Sequence, residues 1–164
     1  MAHRPLTGVL LVGGASRRFG SPKALAEYDG ATLQARAWRL LGDACDEQIV
    51  VGRGGLGDPG TGPVAAIAAG LRAAAHDLVV VIPVDMPLLT ADALRALAGA
   101  CRDAAVAQRG PLPCAVARRT LPAFETGERR LRTVLAGLDT AHVQLDARML
   151  ANVNTPEELD TLAP

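Results

Sequence analysis

The sequence predicts a single α/β domain with a mostly parallel sheet and helices on both faces, and three observations carry that reading. The runs at 7–12 and 78–84 are almost wholly apolar. They lack the alternation of a half-solvated strand and so read as strands covered on both sides. Such runs alternate with stretches of helical spacing, as strand–helix–strand units do. The length, 164 residues, suits one domain, which at this size buries roughly 70% of the surface its unfolded chain exposes. Residues 1–164 are therefore read as one unit, with no internal repeat and no linker-like tract beyond 53–62.

The elements follow in order. The first strand stops at Gly13-Gly14. Leu33, Ala37, Leu40 and Leu41 recur at helical spacing within 31–44, and 48–51 reads as a second strand. Residues 53–62 hold five Gly and one Pro in ten positions and form a loop. Pro63 suits the first position of a helix, where its missing N–H costs nothing, so an Ala-rich helix is expected over 64–75. After the strand at 78–84, Thr90 is placed to cap a helix over 91–101. Shorter strands are expected near 104–108, 114–118 and 141–145, with a helix over 128–138. Thr155-Pro156-Glu157-Glu158 carries an N-cap, Pro at N1 and a capping-box Glu, so a last short helix begins there.

Composition excludes several classes. Basic and acidic residues balance at 17 each, so no global field draws the chain to nucleic acid or to an acidic membrane. Two Phe, one Tyr and one Trp leave little for stacking bases. Cys45, Cys101 and Cys114 are odd in number and widely spaced, which fits neither a disulfide framework nor a zinc pattern, and they are expected as reduced thiols of the core. There is no secretory pattern at the N-terminus and no apolar run near the roughly 18 residues of a membrane span. The expected location is the cytoplasm. Lys23 is the only lysine. In a chain that otherwise uses Arg, a surviving Lys marks a position needing a compact point charge rather than a planar fork.

Ligands of open α/β sheets bind outside the carboxyl ends of the strands. Three features fall there: the loop 13–23, Asp85, and the segment 152–155. In Gly13-Gly14-Ala15-Ser16-Arg17-Arg18-Phe19-Gly20-Ser21-Pro22-Lys23 the glycines admit backbone N–H groups to close range of a ligand. Arg17 and Arg18 can clamp phosphate oxygens, and Lys23 adds a mobile positive charge. The loop is neither a dinucleotide fingerprint nor a Walker loop. Taken singly, Asp85 could merely end its strand, and Asn152 and Asn154 could merely cap a helix start. Together with a phosphate loop they suit a nucleoside triphosphate, whose charge calls for a divalent ion and an oxygen ligand at a strand end.

The chain resembles the molybdenum-cofactor guanylyltransferases, the MobA-like branch of the pyrophosphorylase-type nucleotidyltransferases. The matching strings are 7–14 (TGVLLVGG), 16–20 (SRRFG) with Lys23, Gly62-Pro63, 85–88 (DMPL), 127–130 (GERR) and 152–159 (NVNTPEEL), in the family's order along nearly the whole chain. The resemblance implies a Rossmann-like three-layer α/β/α domain of the nucleotide-diphospho-sugar-transferase type. It implies transfer of GMP from GTP to the terminal phosphate of molybdopterin, giving a guanine dinucleotide cofactor and pyrophosphate. By residue it implies nucleotide contacts from Leu11, Val12, Gly13, Gly14 and Gly62, and triphosphate contacts and catalysis from Arg17, Arg18 and Lys23. Asp85 would meet both nucleotide and Mg²⁺, with Asn154 as a second metal ligand. Arg129, Arg130, Asn152 and Asn154 would lie on the molybdopterin side. Molybdoenzymes or other cofactor-synthesis proteins would be the protein partners.

The chain departs from the family pattern in two places. The stretch between 48–51 and Gly62-Pro63 is much shorter than in typical members, leaving Arg53 and Asp58 in the region; typical members have an acidic residue here that contacts the nucleoside, and the resemblance makes Asp58 the candidate for it. Ala66 stands where the family has Gly. Three other readings remain: a cytidylyltransferase acting on molybdopterin or another phosphorylated acceptor, a nucleotide-binding homologue with impaired catalysis, and an oxidoreductase. Gly13-Gly14 with Gly62-Pro63 favours guanine, because cytidine-using relatives usually carry Ala-Gly at the first site. Lys23, Asp85 and Asn154 speak against lost catalysis. The oxidoreductase reading lacks its glycine fingerprint.

Overall fold

The computed structural model describes residues 3–13, 23–52, 55–57 and 62–162. Its main sheet has six strands: β1 (Leu6–Val12), β4 (Glu47–Gly52), β5 (Leu78–Pro83), β6 (Ala104–Ala107), β7 (Cys114–Ala117) and β8 (Thr140–Val143). Their spatial order is β4-β1-β5-β7-β6-β8. All neighbours run parallel except β7, which is antiparallel to both β5 and β6. The small pair β2 (Glu27–Tyr28) and β3 (Ala31–Thr32) stands apart from this sheet.

Side-chain alternation along the strands sorts the core into two layers. Leu6, Leu10 and Val12 of β1 and Leu78, Val80 and Ile82 of β5 pack with α1 (Leu33–Ala44) and α3 (Ala91–Ala100). Val9, Val79 and Val81 face the other way, onto α2 (Pro63–Ala73) and α4 (Leu131–Ala136). The result is the expected α/β/α sandwich. A third cluster of Tyr28, Leu33, Val153 and Leu159 joins the small hairpin to α5 (Pro156–Thr161).

Both helix layers approach β1 at a glycine. A Cβ on Gly8 would stand 2.7 Å from Leu41 Cδ2 and 2.8 Å from Cys45 Sγ, and one on Gly70 of α2 would stand 2.9 Å from Val9 Cγ1. Thr7 is a fully buried polar residue of the same strand. Its hydroxyl donates to Glu47 Oε1 at 2.7 Å, and that oxygen also accepts from Ala75 N at 2.9 Å, so one carboxylate ties β1, β4 and the end of α2.

Several local expectations change. The helix foreseen over 31–44 starts at Leu33, because Asp29 (φ 51°) and Gly30 (φ 83°) turn β2 into β3 and Thr32 becomes the N-cap. An Asp-Gly pair is the residue signature of such a two-residue hairpin. The helix foreseen over 128–138 shrinks to 131–136, with residues 118–124 in a 3-10 helix before it. The thiols divide as well. Cys114 is sealed in the sheet, whereas Cys45 and Cys101 terminate α1 and α3 and are only half-buried, since helix ends lie at the rim of the core. Burial pushes the Cys45 and Cys114 thiols up to about 12. No helix among the described residues is long and apolar enough to cross a membrane.

The Gly8 contact yields a stability test. Gly8→Val supplies a better strand former but overfills the β1–α1 contact, and we expect a loss of about 1–3 kcal/mol in urea-induced unfolding. An unchanged or higher midpoint would mean that α1 does not rest on Gly8.

Candidate active site

The chain leaves β1 for α1 on one face and, after β4, crosses by α2 on the other face to reach β5. The connections therefore diverge between β1 and β5, and the crevice outside their carboxyl ends is the switch point at which open α/β sheets bind ligands. Leu11 is paired with Pro83. Gly13 and Asp85 each lie two residues beyond that pair, so both sit at this crevice.

Asp85 is gripped from two sides. Its Oδ2 lies 3.6 Å from Nζ of Lys23, which begins a 3-10 turn (Lys23–Leu25). Its backbone carbonyl accepts from Val153 N at 2.9 Å, which brings the C-terminal segment to the same point. The side chains of Lys23 and Asp85 are only 18% and 24% exposed, so the pair is shielded from water more than a surface bridge is. Asp85 Oδ1 is buried and has no hydrogen-bond partner among the described residues. Burial pushes the Asp85 carboxyl above the usual carboxylate range, and the nearby Lys23 ammonium only partly opposes it. A buried carboxylate with an orphaned oxygen is held ready for a further positive partner.

The other sequence-derived candidates divide. Leu11 and Val12 turn their side chains into the two core layers, leaving only backbone at the crevice, and Gly13 beyond them is exposed. Gly62 (φ 102°) is the N-cap of α2, without a side-chain cap, and Pro63 follows it. The amino end of α2, the positive end of its dipole, thus opens on the same edge. Asn154 is half-buried and Asn152 exposed, on either side of the buried Val153. Thr155 caps α5 as expected. Glu158, however, reaches back to Asn154 N at 2.7 Å rather than to Thr155 N, so the capping box closes one residue earlier. Arg129 and Arg130 are exposed ahead of α4. Arg132 of that helix lies against Gly110, in the loop after β6, which places the pair on the far half of the edge, beyond β7. Gly14, Arg17, Arg18 and Asp58 lie outside the described residues.

Two participants carried no readable signal. Gly52 (φ 108°) ends β4 against β1, and a Cβ there would stand 2.0 Å from the Val12 carbonyl oxygen. Only glycine permits these strand ends to meet so closely. Val153 acts through its backbone N–H, which no residue type announces. Among the described residues no group of three or more His, Cys, Asp or Glu could hold a metal by itself. A single carboxylate at a strand end suits a hard cation that takes its remaining oxygens from phosphate and water, as Mg²⁺ does.

A molybdenum cofactor guanylyltransferase of Xanthomonas euvesicatoria is 34% identical, over 98% of this chain and 95% of the relative. A protein of Deinococcus radiodurans described as a probable molybdenum cofactor guanylyltransferase is also 34% identical, over 97% of this chain and 94% of the relative. Among solved structures, the molybdopterin-guanine dinucleotide biosynthesis protein A of Archaeoglobus fulgidus superposes with a TM-score of 0.78 at 22% identity, over 95% of this chain and 96% of that one. A nucleotidyl transferase from Methanothermobacter superposes at 0.83 with 20% identity, over 98% and 96%. These two likenesses bear on the fold alone. The model of the MobA-like NTP transferase domain matches residues 8–145, and with that match and relatives at 34% identity the chain belongs to the MobA-like NTP transferase family.

Proposed function

We propose that this chain transfers GMP from GTP to the phosphate of molybdopterin. An oxygen of the acceptor phosphate bonds to the α-phosphorus of GTP, the bond from that phosphorus to the β-phosphate bridging oxygen breaks, and pyrophosphate leaves. The observation that carries the reading is that relatives matching nearly the whole chain at 34% identity bear the name molybdenum cofactor guanylyltransferase. The geometry supports it: Gly13, Lys23 and Asp85 lie at the β1–β5 crevice, and the amino end of α2 opens on the same edge of the sheet. The whole of 1–164 would act as one domain in the cytoplasm, with molybdoenzymes or other cofactor-synthesis proteins receiving the product.

Phosphoryl-type transfer needs positioning and charge stabilisation more than covalent chemistry from the protein. Backbone N–H groups after β1 and at the start of α2 would hold phosphate oxygens. Lys23 would move from Asp85 toward the leaving pyrophosphate, a short step for a flexible stem carrying a point charge. Asp85 Oδ1, orphaned and buried among the described residues, fits Mg²⁺, and Asn154, next in the chain to the Val153 that holds the Asp85 carbonyl, would add a neutral oxygen. When bound, Mg²⁺ supplies charge neutralisation on the phosphates. Arg17, Arg18, Gly14 and Asp58 would complete the triphosphate and nucleoside contacts, and Arg129, Arg130 and Asn152 the acceptor side.

With GTP and CTP at equal concentration, GMP incorporation should dominate; equal incorporation, or a preference for CTP, would instead support a cytidylyltransferase. Lys23→Ala should lower single-turnover transfer by at least about 100-fold, or roughly 2.7 kcal/mol in barrier, with Lys23→Arg also impaired because a fork cannot occupy the same point. A near-parental rate in the Ala variant would remove Lys23 from the chemistry. Asp85→Asn should lose at least about 100-fold in rate and need more Mg²⁺, with Asn154→Ala showing a milder form of both. An unchanged Mg²⁺ titration would return either residue to a structural role.

The same Asp85→Asn protein, free of ligand, should melt no lower than the parent, because burial opposes the charge that the substitution removes. The sign follows from linkage. The folded carboxyl is raised above its ordinary value of 3.8, so the parent loses stability as pH climbs from 3.8 through the raised value, and the variant escapes that loss. Paired thermal melts across this window should show the variant gaining on the parent as pH rises; a steady or shrinking difference would contradict the burial argument.

A further inference from the structure

Tyr28 is the one tyrosine of the chain, and nothing in the transfer chemistry uses it. It ends β2 in the small hairpin, is 8% exposed, and packs with Leu33, Val153 and Leu159. Its hydroxyl donates to the Leu162 carbonyl, just past α5. The Arg36 guanidinium lies 4.8 Å above its ring, and Arg36 Nη1 donates to its backbone carbonyl at 3.5 Å. The residue is thus fixed from above by α1 and from below by the C-terminal segment.

The contacts close a ring around Asp85. Ala26 N donates to the Lys23 carbonyl at 3.0 Å and Leu33 N to the Ala26 carbonyl at 2.8 Å, so the hairpin carries the Lys23 turn with it. Lys23 meets the Asp85 carboxylate, and the Asp85 carbonyl is held by Val153 N. Val153 returns to Tyr28 through their shared cluster. Two chain-distant segments, 23–33 and 153–162, grip one residue just past β5; Leu33 and Tyr28 both pack across them, and Tyr28 adds a side-chain hydrogen bond to Leu162.

We propose that Tyr28 is a positioning residue, which holds the Lys23 segment and the 153–162 segment in register about Asp85 so that the donor and acceptor groups align. What is aligned rests on the function proposed above, with Lys23 on the triphosphate side and 152–154 on the acceptor side. The mechanical link itself does not depend on that reading. Tyr28 is buried in its cluster and has little surface to offer a substrate, so its effect falls on the ternary complex and not on the binding of either substrate alone.

Tyr28→Phe is the test, since it keeps the buried ring and the face under Arg36 and removes only the bond to Leu162. We expect amide exchange at Val153 N to quicken several-fold, up to about 10-fold, on loss of that one bond. At saturating substrates kcat should fall about 10-fold from misalignment, while the dissociation constant of Mg–GTP stays within about twofold, which a general weakening of the fold would not leave intact. Unchanged exchange at Val153 overturns the link, and unchanged kcat overturns the positioning role. If the parent itself transfers no GMP to molybdopterin, the function fails first, and exchange at Val153 in the two proteins still decides for or against Tyr28 as the link.

Discussion

Two-sided burial of β1 and β5 is the constraint from which the rest of the structure follows. A strand covered on both faces has no room for a functional side chain along its length, and here one face belongs to α1 and α3 and the other to α2 and α4. Polar chemistry is confined to what lies just past the strand ends. Gly8 and Gly70 let the two helix layers close on β1 from opposite sides. The one polar side chain buried within that strand, Thr7, is satisfied by Glu47 near the amino end of the sheet, away from the crevice. The core thus presents Gly13 and Asp85 side by side on a rigid edge, as a site demanding fixed geometry requires.

Asp85 shows what that placement costs. A carboxylate driven into a shielded position, with one oxygen left unpaired among the described residues and Lys23 at 3.6 Å offsetting the burial only in part, works against the fold. Sites of this kind give up stability for chemistry. The cost becomes intelligible if a cation completes the arrangement, because it brings the carboxylate a positive partner that the described residues do not fully supply.

The fold was largely legible in the sequence, because apolar runs such as 78–84 and spaced residues such as Leu33, Ala37 and Leu41 report burial directly. The caps at Thr90 and Thr155 and Pro63 at the start of α2 were legible for the same reason: each is a local backbone requirement met by a residue type. The antiparallel direction of β7 was not, since Cys114–Ala117 is buried on both faces in either direction. The Asp29-Gly30 hairpin had a signal, but β2 and β3 are two residues each, too short for any periodicity to separate them from the helix that follows. At the site, Lys23 and Asp85 could be singled out by residue type and position, whereas their pairing could not. Contacts made by backbone atoms, Val153 N on Asp85 and the Val12 carbonyl against Gly52, leave no mark on residue identity.

The relatives and the family match point to one reaction, with which the crevice is compatible, and that reaction assigns a distinct fate to each phosphate of GTP. The most direct measurement follows those fates, incubating the protein with Mg²⁺, molybdopterin and GTP labelled at either the α- or the γ-phosphorus. Guanylyl transfer requires the α-label in the pterin-containing product and the γ-label in pyrophosphate, in equal amounts. Appearance of the γ-label on the acceptor, or release of both labels without any pterin-linked product, would contradict it.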